Sequence, residues 1–98
     1  MANKQSWGSP EAIEETEGLL RSNKSRQKGI ANLQKIAKTL RWAIRCIDHQ
    51  AEDKEVRRKF LRPHLETLET VVGLFRKYAL TKDPLMEDLL EIQRKVFV

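Results

Sequence analysis

The chain has 98 residues, with 19 Lys and Arg against 14 Asp and Glu, a formal charge of +5. That length is one small domain, and the charge favours acidic partners. A single cysteine, Cys46, excludes a fold stapled by internal disulfides, and no stretch approaches the roughly 20 apolar residues that span a bilayer.

Residues Met1 to Gly8 read as a mobile polar tail carrying one aromatic, Trp7. No apolar run follows its charge, so no signal peptide is expected, and the setting expected is a reducing cytoplasm. The remainder, 9–98, is expected to be a single domain. Ser9-Pro10 starts the first helix: serine caps free N–H groups, and proline fits a first turn where its missing N–H costs nothing. Glu11, Glu14, Glu15 and Glu17 then place negative charge near the positive end of the helix dipole. Ile13, Thr16 and Leu20 form a thin apolar stripe, so this short helix is expected to end near Arg21 and to pack less firmly than the others. Ser22 to Ser25 is a polar turn.

The second helix spans Arg26 to Ala51. Its apolar positions Ile30, Leu33, Ala37, Leu40, Ile44, Ile47 and Ala51 alternate steps of three and four, the seam of a helix packed on a neighbour. Gly29 weakens its first turn. Asp53 caps a third helix from Lys54. Pro63 predicts a kink near Phe60 to Arg62, or a short helix followed by a new one. The seam then resumes through Leu61, Leu65, Leu68, Val72, Phe75 and Ala79, widened by Val71, Leu74 and Tyr78. Gly73, inside this helix, is either a tolerated cost or the mark of a close approach by another helix, such as one from a second subunit, and close approach is the expectation. Asp83-Pro84 repeats the capping pattern, and a fourth helix runs to about Phe97 with Leu85, Leu89, Ile92 and Val96 inward. Short loops join the last three helices. The expected fold is all-α: a small antiparallel bundle of three main helices plus a short N-terminal one.

Charge is unevenly distributed. Between Gly18 and Ile47 there is no acidic residue, but there are eight Lys and Arg. Lys35, Lys38, Trp42 and Arg45 fall at spacings of three, four and three, one stripe opposite the apolar seam, with Arg41 beside it. An aromatic inside a basic stripe can stack on a base or lie along an acidic partner. Alternatively the stripe is a solvated face, with Trp42 covered by the first helix and the cations paired to its glutamates. Arg57 and Arg58 belong to a second basic cluster, interleaved with Glu52, Asp53 and Glu55. Val96-Phe97-Val98 is apolar, which suits either a dimer contact through Phe97 and Val98 or closure of the core.

Catalytic patterns are weak. Cys46 and His49 are three apart, with His64 as a distant third group, but zinc sites use paired motifs. Four scattered glycines make no phosphate-cradling loop. No enzyme activity, cofactor or metal is expected. The sequence suggests an interaction module, an adaptor or regulator binding another protein or itself as a homodimer. Nucleic-acid binding through the basic face of the second helix is the alternative.

The run Phe60-Leu61, Leu65, Thr67-Leu68, Val71-Val72, Phe75, Tyr78 resembles a segment of the bacterial XpaC-type family, associated with hydrolysis of bromo-chloroindolyl phosphate. The flanking helices, Ile30 to Gln50 and Leu85 to Ile92, fall in compatible places. Pro63 departs from the family pattern, which has an aromatic there. The resemblance implies a cytosolic helical protein and supplies no catalytic residue to carry over.

Overall fold

The computed structural model describes residues 9–96. Trp7 and the rest of the N-terminal eight, with Phe97 and Val98, lie outside the described residues. Four α-helices are present, α1 (Pro10–Arg21), α2 (Arg26–Gln50), α3 (Lys54–Lys77) and α4 (Pro84–Val96), and there is no strand among the described residues. Among the described residues no helix is long and apolar enough to cross a membrane.

The caps form where polar side chains precede each start. Ser9 Oγ accepts from the Ala12 N–H at 3.2 Å. The Asp53 carboxylate accepts from Glu55 N–H at 2.9 Å, and that of Asp83 accepts from Leu85 N–H at 2.9 Å. Each satisfies a donor that the first helical turn leaves without an internal partner.

The core lies between the two long helices. Leu33, Ala37, Leu40 and Ile44 of α2 are buried with Leu61, Leu68, Val71, Val72, Leu74 and Phe75 of α3. Leu20 of α1 and Leu85, Met86, Leu89 and Ile92 of α4 complete it. Full burial of a side chain of this size contributes about 1.5–3 kcal/mol. Polar ties fix the neighbours. The Arg26 guanidinium donates to the Tyr78 carbonyl at 2.8 Å, and Gln34 Nε2 to Asp83 at 2.8 Å. Arg57 pairs with Asp48 at 3.3 Å, and Arg41 pairs with Asp88. The molecule measures 47 × 36 × 15 Å. Its thin dimension is that of two packed helices.

Five expectations are corrected. At Pro63 the expected alternative of a short helix followed by a new one does not hold, since α3 runs unbroken through it. Pro63 and Lys59, whose carbonyl loses its partner, are both exposed, so water can replace the missing N–H. Ala79 is not part of the seam. It is exposed and left-handed at φ 60°. Leu80 N–H donates back to the Phe75 carbonyl at 2.7 Å and Ala79 N–H to Arg76 at 3.2 Å, a Schellman end to α3. Gly73 is exposed, and a Cβ built there meets nothing within 4 Å, so no other helix among the described residues approaches it.

The first helix is not the loose one: its contact with α2 is the most extensive of any helix pair. Gly29 is the reason, because its missing side chain lets the end of α1 rest on α2. Finally, α1 does not cover Trp42. It lies along Asn32, Lys35, Ile36 and Thr39 instead, and Trp42 remains 67% exposed.

Candidate functional site

Helical geometry builds the site on α2. Positions 38, 42, 45 and 49 lie on the side opposite Leu33, Ala37, Leu40 and Ile44, so burying the seam forces this stripe outward. Lys35, Lys38, Trp42, Arg45 and His49 are all exposed. Trp42 stands in a shallow groove of about 530 Å³ lined by Lys38, Arg41, Arg45, Cys46, Asp48, His49 and Gln50.

The cations in the two basic clusters separate into two groups. Arg41 and Arg57 are half-buried and engaged, the first by Asp88 of α4, the second by Asp48 of α2. They tie helices together. Lys35, Lys38 and Arg45 have no ion-pair partner among the described residues. The α1 glutamates do not neutralise them. Glu17 bonds Lys77 Nζ at 2.7 Å and the Tyr78 hydroxyl at 2.9 Å, tying α1 to the end of α3. The Lys77 ammonium and then the Tyr78 hydroxyl hold the Glu17 carboxyl below its usual range.

Arg58 is not on the Trp42 face. It lines a separate groove with Glu55, Lys59, Leu61, Arg62, Leu65 and Val96. The structure thus brings Lys38, Arg41, Trp42 and Arg45 to one groove, with Arg57 reaching its edge through Asp48; it sets Lys35 beside Glu15 against α1 and Arg58 on a separate groove.

Cys46 and His49 share the Trp42 groove, and His64 is not among its lining residues. No group of three or more His, Cys, Asp or Glu among the described residues is placed to hold a metal ion. Burial pushes the His64 imidazole below its usual pKa.

Two exposed apolar side chains escape the sequence reading: Val56 at 42% and Phe60 at 57%. They are four apart and fall off the Leu61–Leu65–Leu68 seam, and that offset is the signal by which the pattern could have shown them.

Fold and surface together define an all-α chain whose second helix presents an uncovered tryptophan among unneutralised cations. The chain matches no family model, no curated protein and no solved structure.

Proposed function

We propose that the protein is a small non-catalytic interaction module of the cytoplasm, an adaptor or regulator. It binds an acidic protein surface through Lys35, Lys38, Trp42 and Arg45. The scaffold proposed for this face is an antiparallel bundle. The Arg26–Tyr78 and Asp48–Arg57 ties support it, since the start of α2 meets the end of α3 and the end of α2 meets its start. The XpaC-type likeness belongs to the same reading, as a helical protein with no catalytic residue to transfer.

One observation carries the proposal: Trp42 is 67% exposed in a groove with Lys38 and Arg45, neither of which has an ion-pair partner among the described residues. Tryptophan and arginine dominate interface energetics, because a flat ring buries large area at small entropic cost. Lysines around it raise the encounter rate with acidic partners and reject basic ones. An aromatic ring also stacks on bases, so nucleic acid is the second reading.

The test is a titration followed by the fluorescence anisotropy of a labelled probe, with a poly-glutamate peptide and a single-stranded oligonucleotide of equal charge as the two probes. The proposal expects the peptide to bind with salt-dependent affinity, and Trp42→Ala or Lys38→Glu with Arg45→Glu to abolish binding. Tight binding of the oligonucleotide with no response to the peptide would establish the second reading. No response to either at low salt would overturn both. Sedimentation of the free protein tests the homodimer form.

A further inference from the structure

The first turns of α3 and the last turn of α4 enclose two adjoining pockets that share Arg58, Leu61 and Val96. The smaller, about 180 Å³, is lined otherwise by Lys54, Arg57 and Lys95, so every charged side chain lining it is positive. Arg57 and Lys95 each meet a carboxylate that does not line the pocket, Asp48 at 3.3 Å and Glu91 at 3.5 Å. Lys54 and Arg58 have no ion-pair partner among the described residues. Cations held this close sum to a strong local field, and the apolar wall of Leu61 and Val96 weakens its screening.

The larger pocket, about 460 Å³, runs along α3 from Glu55 to Leu65, about 15 Å of helix. Its apolar wall is Leu61, Leu65 and Val96. Leu65 and Val96 continue the inward seams of their helices, yet both are only half-buried. This stretch of seam is therefore not sealed by the described residues. Lys59 and Arg62 border it, and such side chains lay their methylene stems along apolar surface while keeping the charge in water. Glu55 lines the larger pocket and not the smaller, which leaves the positive potential highest in the small one.

We propose that the two pockets form one site for a single-chain anionic amphiphile, a carboxylate on a medium-length hydrocarbon chain. The carboxylate enters the small pocket. Arg58 presents a planar fork that matches both carboxylate oxygens, and Lys54 adds a point charge. A monoanion suits the charge balance, because Arg57 and Lys95 are already shared with Asp48 and Glu91. The chain then follows Leu61 and Leu65 and removes their open faces from water. The cations converge on a pocket instead of spreading over a plane, which favours one bound molecule over a bilayer surface. Neither pocket has an aromatic lining residue on which a nucleic-acid base could stack. The larger pocket falls within the range of small-molecule sites, roughly 300–1,000 Å³. The site shares no lining residue with the Trp42 groove and is independent of it.

The experiment is calorimetric titration of the full chain with laurate below its micellar concentration, with acetate and dodecanol as head-only and chain-only probes. Saturable binding of one laurate per chain is expected. Acetate and dodecanol should each bind about tenfold more weakly or worse, since each lacks one half of the contacts. Lys54→Glu with Arg58→Glu should weaken laurate about tenfold or more, as loss of a charged hydrogen bond does. Leu65→Ala should weaken it about fivefold by removing apolar contact, and Trp42→Ala should leave it unchanged. In the unaltered protein, laurate should shift the amide resonances of Arg58, Leu61 and Leu65, a readout that needs no variant. No saturable binding of laurate overturns the proposal. So does dodecanol binding as tightly as laurate, affinity that survives the charge reversal, or affinity lost in Trp42→Ala. Binding to phosphatidylglycerol vesicles without binding of monomeric laurate would assign the cations to a bilayer surface and also overturn it.

Discussion

Gly29 and Leu20 meet backbone to backbone: a Cβ added at Gly29 would stand 2.8 Å from the Leu20 nitrogen and 2.9 Å from its Cγ. The backbone nitrogen cannot swing aside as a side chain can. Gly29→Ala should therefore push α1 off α2 and destabilise by about 1–3 kcal/mol, as overpacking does. Gly73→Ala, the same substitution, should stabilise by about 1 kcal/mol, because Gly73 is helical, exposed and faces open space. Urea midpoints of the two variants check both signs. A stabilising Gly29→Ala would mean that the close approach does not exist.

Ala79 ends α3 in a left-handed conformation at φ 60°, which strains an L-residue by roughly 1–2 kcal/mol. Glycine has no such strain but loses more chain entropy on folding. The balance predicts that Ala79→Gly raises stability by about 0.5–1 kcal/mol. Thermal unfolding should register it, while Ala79→Val should fall the other way, because a β-branched side chain tolerates positive φ poorly.

Pro63 removes a hydrogen bond from the middle of α3. Pro63→Ala restores an N–H that can donate to the Lys59 carbonyl. Interior proline costs about 3 kcal/mol, and the loss of its stiffening of the unfolded chain offsets up to about 1 kcal/mol of the gain. A net gain of about 1–2 kcal/mol is expected in chemical denaturation, with higher helical content by circular dichroism.

Much of this was legible in the residues, for a definite reason. Helix boundaries are local decisions, and Ser9, Asp53 and Asp83 announce them with side chains that cap within three residues. The Lys35–Lys38–Trp42–Arg45 stripe follows from helical spacing alone. What escaped depends on distance in the chain. Glu17 is bonded to residues 60 and 61 positions away, and nothing in α1 distinguishes it from Glu14 or Glu15. Gly29 reads as a weak helix residue until Leu20 is placed against it. Pro63 reads as a break until its carbonyl neighbour is seen to face water. Trp42 was exposed rather than covered because α1 settled along Asn32 and Ile36, a choice set by where Gly29 permits contact.

The last prediction concerns acid. Glu17 is held below its usual value of 4.5 by Lys77 first, and Lys77 is held above its usual 10.5 by Glu17. A carboxyl with a lowered folded pKa contributes stability that is complete above its unfolded value and is lost as pH falls through the folded one. The raised lysine contributes below 10.5 and loses its share as pH climbs through its folded value. The stability difference between the wild type and Glu17→Gln should thus be flat between these limits and shrink at both ends. Lys77 is exposed and Glu17 half-buried, so salt should also reduce it. His64 acts in a separate window. Its burial disfavours the charged imidazolium and lowers its pKa from 6.5. The unfolded chain then binds the extra proton, and stability drops as pH falls below 6.5 toward the folded value. Denaturation curves at stepped pH separate the two. His64→Gln should flatten the decline that begins below 6.5 and leave the one below 4.5, and Glu17→Gln should do the reverse.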